Sequence, residues 1–243
     1  MHPSRGVSQS QRRPPSLLDI YRTVDALPYV RKSFIGSGVR YDLLLHDWHD
    51  ADLNRAAADY TRELILHHVS GRLKVAPEHT SDHVLALMRK PSFRLFHAFK
   101  RQFDIINREA RLHQQIIPYF ISSHPGCRPE DMAELAILTR QLDFQLEQVQ
   151  DFTPTPMTTA TTMWATGYDP DTMKPVFVAR TPQEKQAQRM FFFWYKPEER
   201  QRIESELRRM NRTDLLRRLF GNPDIKPNRT VTVKEQRTKH KRK

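Results

Sequence analysis

Four short polar segments hold most of the side chains in this sequence that could move a proton or grip a small polar ligand. They are Gly36-Ser37-Gly38-Val39-Arg40, Pro77-Glu78-His79-Thr80, Ser122-Ser123-His124-Pro125-Gly126 and Gln150-Asp151-Phe152-Thr153-Pro154. Each offers hydroxyl, carboxylate, imidazole or guanidinium groups and comes after an apolar stretch of strand character. If those stretches are parallel strands, the four segments share one rim. Function collects there in parallel sheets and barrels, beyond the C-terminal strand ends. The pattern locates a rim without naming a reaction.

Other clusters carry weaker signals. His46-Asp47-Trp48-His49-Asp50 has the residue types of a metal site. Its candidate ligands are adjacent and sit just before a helix, which favours a capping loop over a metal centre. His67-His68 falls at the end of the same helix, where an imidazolium suits the dipole. Cys127 comes directly after Gly126 near a helix N-terminus, a position that can lower a thiol pKa, yet no partner residue marks it as a nucleophile. Phe191-Phe192-Phe193-Trp194-Tyr195 is continuously aromatic, so part of it must face outward or a partner. Base stacking is one reading; docking against the rest of the fold is the favoured one.

The elements that would hold the rim alternate. Lys32 to Gly36 reads as a strand ending in a glycine turn. Asp52 is expected to cap a helix with Leu53, Ala56, Tyr60 and Leu64 on its apolar face, stopped by Gly71. Leu73 to Ala76 is the next strand. Ser81 starts a helix that Pro91 breaks, and Ser92 starts another with Phe93, Phe96, Phe99, Phe103 and Ile106 at helical spacing. Gln115 to Ser122 is a strongly apolar strand. Pro118 inside it cannot donate to a ladder, so a bulge or an unpaired position is expected. Pro129, with Glu130 and Asp131 behind it, opens a helix with Met132, Leu135, Ala136 and Leu142 buried. Leu146 to Phe152 closes the series as a strand. Thr153 to Gly167 reads as a long loop and Val176 to Ala179 as a short strand. Thr181-Pro182-Gln183-Glu184 is a capping box, Pro197 opens a second helix, and Thr213 to Phe220 is a last helix ended by Gly221. The fold class is therefore α/β: parallel strands with right-handed crossover helices, and then a helical appendage. A section of a (β/α) barrel and an open doubly wound sheet both fit.

Composition bounds the function. The 243 residues carry a formal net charge of +12, and half of it lies after Gly221, where eight cations face Asp224 and Glu235. That basic tail and the polar stretch 1–16 have little to bury and read as disordered. The tail can touch phosphates without specificity. No run of about 18 apolar residues is present, so no membrane contact is expected. No apolar leader is visible near Met1, and a cytoplasmic location is expected. The single cysteine excludes an intramolecular disulfide and any all-cysteine metal or cluster site built from this chain alone.

Four long motifs add a family. KSFIGSGVRYDLL, HHVSGRLKVAPEHTSDHVLALMRKP, IIPYFISSHPGCRPEDMAELA and EQVQDFTPTPMTTATTMWATG, in that order, closely resemble the second half of YgiQ-type radical SAM proteins. The likeness runs from about Ile20 to Gly167 and continues more weakly to about Phe220. It implies a partial (β/α) radical SAM barrel over residues 17–167, a helical appendage over 168–221 and a basic tail over 222–243. The family uses S-adenosylmethionine and a 4Fe-4S cluster held by a CxxxCxxC motif, which this chain lacks. The expectation is a C-terminal portion of such an enzyme, inactive alone, with no cofactor of its own and with the missing N-terminal half as its partner. A looser likeness of HTSDHVLALMRK and ISSHPGCRPEDMAELA to radical SAM methylthiotransferases implies that Ser37, Glu78, Arg89 and Ser122 lie near the cosubstrate. Arg89 is the candidate for its carboxylate, which a guanidinium pairs bidentately; its bland alternative is a cation at a helix C-terminus. Ser37 has a turn-capping alternative and Glu78 a helix-capping one. Two other functions stand beside this one: a nucleic-acid-binding module using the tail and the Arg-rich last helices, and an interaction domain whose incomplete sheet pairs with another chain.

Overall fold

The structure, a computed structural model, describes residues 14–221, with side chains from Leu17 onward. The lead-in up to Arg13 and the basic tail lie outside the described residues. The chain is mixed α/β. Three parallel strands, β1 (Arg72–Glu78), β2 (Gln115–Ser122) and β3 (Gln148–Asp151), pair in the order β1-β2-β3. Three helices precede the sheet: α1 (Pro14–Asp25), α2 (Tyr41–Leu44) and α3 (Ala51–His67). The crossovers carry α4 (Asp82–Leu87) and α5 (Phe93–Glu109) between β1 and β2, and α6 (Pro129–Gln141) between β2 and β3. After β3 come α7 (Thr159–Thr166), α8 (Pro182–Arg189), a 3-10 turn (Met190–Phe193), α9 (Pro197–Arg209) and α10 (Thr213–Phe220). No described helix is long and apolar enough to cross a membrane.

Pro118 sits in the central strand with its nitrogen on the β3 side, ahead of the first β3 pair at Tyr119, so it holds the expected unpaired position, and β1 is irregular beside it. Val75 pairs with Pro118, but the next partners are Glu78 and Phe120, so the extra residue bulges out of β1. Local chemistry sets the helix ends. Asp50, not the expected Asp52, caps α3: its carboxylate accepts from the N–H groups of Asp52 and Leu53, because the carboxylate one residue before the first turn is the one that reaches them. Ser92 accepts from Arg94 N at the start of α5, and Thr181 with Glu184 closes the capping box of α8.

Three expectations are corrected. The stretch Lys32–Gly36 is extended but forms no ladder; it touches the sheet region through Ile35 N–H to His68 O and, further on, a single bridge of Val39 to Val75. Residues 153–167 are not all loop: Thr158 caps α7, and Gly167 ends it at φ 77°. The threonine-rich composition hid a helix whose first turn is satisfied by hydroxyls. Val176 to Ala179 is not a strand; Phe177 O instead accepts the N–H of Gly126.

One core binds these parts. Phe96 and Phe99 of α5, Phe120 of β2, Leu135 of α6, Phe191 and Phe192 of the 3-10 turn, Ile203 of α9 and Leu219 of α10 are fully buried in one contiguous cluster. The aromatic run docks inward: Trp194 Nε1 donates to Thr139 Oγ1 at 3.2 Å and the Tyr195 hydroxyl donates to Leu146 O at 3.1 Å. Gly126 has φ 89°, and a Cβ there would fall 2.2 Å from Leu87 Cδ1. Gly126→Ala should therefore lower stability by about 1–3 kcal/mol in urea unfolding; an unchanged midpoint would show that this turn is not constrained.

Candidate functional site

Three of the four polar segments follow the C-terminal ends of adjacent parallel strands; the first, residues 36–40, follows no strand and meets the sheet only through the bridge of Val39 to Val75. β1 ends on Glu78 and Ser123 lies just past β2, and both hold left-handed backbone (φ 66° and 60°), which is rare for residues with a side chain. Beyond β1, Glu78 Oε1 lies 3.1 Å from Lys90 Nζ, while its Oε2 is buried without a hydrogen-bond partner among the described residues. Thr80 Oγ1 and Ser123 Oγ are buried and unpartnered in the same way. Ser122, fully buried, donates its hydroxyl to Asp151 Oδ1 at 2.5 Å, and so ties the end of β2 to the end of β3. Arg189 of α8 approaches the other oxygen of Asp151 at 3.3 Å.

Of the four residues implied by resemblance, Glu78 and Ser122 stand on adjacent strand ends. Ser37 is exposed in the loop leading to Val39, which bridges to β1. Arg89, just past α4, has a left-handed conformation (φ 55°), and its guanidinium is committed to Asp171 at 2.6 Å. The neighbouring Lys90 reaches Glu78 instead. Sequence reasoning did not single out Lys90, Arg189 or Gln188. Gln188 had one visible signal: a polar residue on the face of α8 that continues into Met190 and Phe191.

Gln188 is fully buried and holds the β2–α6 loop from both sides. Its Oε1 accepts the N–H of Ser123 at 2.7 Å and its Nε2 donates to Cys127 O at 2.7 Å. Both backbone groups are buried, so the amide replaces a ladder that the left-handed Ser123 cannot continue.

Cys127 is not activated. Burial pushes its thiol well above the ordinary value, with Asp131 adding to the effect, which corrects the expectation from its place near a helix N-terminus. His79 Nε2 lies 3.4 Å from Sγ. The N–H of Ser81 donates to His79 Nδ1, so in this tautomer Nε2 carries the proton and cannot accept one from the thiol. Burial is also the main reason the His79 pKa falls from 6.5 to about 3.

The 46–50 cluster is a capping loop, as expected. Asp47 Oδ1 accepts from His49 N–H and from Asn54 Nδ2, and Asp50 caps α3. Among the described residues no group of three or more His, Cys, Asp or Glu side chains could hold a metal ion.

This geometry has two measurable outcomes. Gln188→Ala should cost about 1–3 kcal/mol for each backbone group left unpaired, read by urea unfolding; a loss below that range would mean water replaces the amide freely. His79 gives a pH dependence of definite sign. The folded site refuses a proton that the unfolded chain accepts near 6.5, so its contribution is complete above that pH. It is lost progressively as pH falls toward about 3. Unfolding midpoints across this window should decline less steeply for His79→Gln, and parallel profiles would refute the assignment.

Comparison with known proteins comes from sequence. Residues 147–243 match a family described as a domain of unknown function (DUF3362). The chain's homologues are UPF0313 proteins. One from Bacteroides thetaiotaomicron is 69% identical over 205 residues, covering 84% of this chain and 33% of the relative. One from Porphyromonas gingivalis is 62% identical over 204 residues, covering 84% and 32%. One from Clostridium perfringens is 43% identical over 199 residues, covering 82% and 29%. The chain thus spans about a third of the length of these curated relatives. No solved structure gives a significant match.

Proposed function

We propose that this UPF0313 relative forms the later strand–helix units of a YgiQ-type radical SAM barrel, and that its rim helps to hold S-adenosylmethionine. The observation that carries the reading is the paired strand ends. Glu78 and Ser123 are both left-handed, with buried polar atoms that nothing in the described chain satisfies. Left-handed backbone and polar side chains at C-terminal strand ends are where parallel sheets bind ligands, and this supports the reading. The resemblance of the four long motifs supplies the identity of that ligand.

The two groups the family uses fit this chain differently. An iron–sulfur cluster does not fit, because the single thiol is buried, raised in pKa and held beside His79. In this proposal the cluster is held by cysteines from outside this sequence. The polar cosubstrate does fit the rim. A carboxylate at Glu78 can accept ribose hydroxyls or an ammonium group, and Ser122, fixed by Asp151, orients the neighbouring edge. Ser37 and Arg89 are its outer contacts in this proposal, Arg89 after leaving Asp171. The chain's own residues bind and orient; they do not generate a radical. A cytoplasmic setting and a partner polypeptide segment carrying the cluster belong to the same proposal.

Titration of S-adenosylmethionine into the chain, monitored by ligand-observed NMR, should show binding with Kd on the order of 1 mM or tighter. Glu78→Gln should weaken it about tenfold, equivalent to about 1.4 kcal/mol. Absence of binding, or equal binding by the variant, sinks the reading. Anaerobic iron and sulfide should give the chain alone no cluster absorbance.

A further inference from the structure

Most arginines of the last helices are spoken for. On α9 and α10, Arg200 and Arg208 meet Glu204, Arg202 meets Glu199, Arg209 meets Glu206, Arg212 meets Asp214 and Arg218 meets Glu134. Those helices therefore present little uncompensated charge, despite their composition.

Helix α5 is different. Arg94, Arg101 and Arg108 are exposed, and their guanidinium groups make no ion pair or side-chain hydrogen bond among the described residues. Each step of seven residues falls about 20° short of two full turns, so the three form one row about 21 Å long on the outer face of α5. The acids of this helix are already neutralised: Asp104 by Lys100 and Glu109 by Arg62 of α3. From α3, which packs beside α5, Arg55 is also exposed and Asp59 is the opposing charge. The local field is positive enough to act on a neighbour: the pKa of His97 on α5 is lowered first by burial and then by Arg101 and Lys100.

We propose that the row Arg94, Arg101 and Arg108 docks on the phosphate backbone of a nucleic-acid duplex. The argument is charge complementarity. A duplex presents one negative charge per about 1.7 Å of axis, so the row runs beside about a dozen phosphates. Guanidinium forks match phosphate oxygens bidentately, and the net charge of +12 adds long-range attraction. An acidic protein is less well matched, because protein interfaces centre on apolar and aromatic anchors and this face offers only Ile105, 43% exposed. The surface is independent of the strand-end rim and does not rest on the cosubstrate reading.

The test is fluorescence anisotropy of a fluorescein-labelled DNA duplex two turns long, titrated with the full chain across a salt series. For Arg94→Gln/Arg101→Gln/Arg108→Gln, the slope of log K against log salt should shrink by about 2.7, and low-salt affinity should fall at least about tenfold. The matching triple lysine variant should keep the slope. All three side chains reach solvent, so circular dichroism should show the fold unchanged. Equal slopes for the glutamine variant and the parent chain overturn the proposal. So does displacement by polyglutamate as effective as that by unlabelled duplex, which would assign the face to an acidic protein.

Discussion

The parallel pairing of β1 with β2 around Pro118 is the constraint on which the rest of the rim depends. A proline in a central strand withholds one donor from the ladder; Gln115 N–H donates to Gly71 O, so alternate residues put the Pro118 nitrogen on the β3 side, ahead of the first β3 pair at Tyr119. On the opposite side of β2, β1 bulges between Val75 and Glu78. Pro77 lies in the bulge, where it too has no ladder bond to lose. Pairing then stops at Glu78, whose backbone turns left-handed and whose carboxylate meets Lys90. Ser123 makes the same turn one strand over. The site is thus a product of how the strands end rather than of any inserted loop.

The region from β3 onward is part of the same body. The match to a domain of unknown function begins at residue 147, one residue before β3. That region supplies an edge strand of the sheet, the amide of Gln188 under the β2–α6 loop, Arg189 against Asp151 and the buried rings of Phe191 and Phe192. A unit that shares a sheet and a core with its neighbour is not an independent globule. Changes in α8 reach the strand ends through two hydrogen bonds and one ion pair, without touching anything bound there.

Much of this was legible because it is local. The 3.6-residue spacing of the phenylalanines placed α5, and the bounds of β2 and α10 come from apolar runs closed by polar or glycine residues. Pro118 announced its own unpaired position. The features that stayed hidden depend on distant partners. Nothing near Arg89 says that it will meet Asp171, 82 residues on, while Lys90 takes Glu78. Cys127 looked like a thiol near a helix start, but its reactivity is decided by burial and by the tautomer of His79, 48 residues away. Likewise α7 was obscured by threonines, whose hydroxyls stabilise the end of a helix as readily as a loop.

The shared core also bears on synthesis. Leu73 of β1 and Leu219 of α10 are both fully buried in the one cluster. A ribosome adding about 5–20 residues per second needs roughly 7–30 seconds to travel between them. Until α10 is made, the sheet strands lack part of the core that covers them, and exposed apolar surface of that kind is what chaperones recognise and what sticks to neighbouring chains when they are absent.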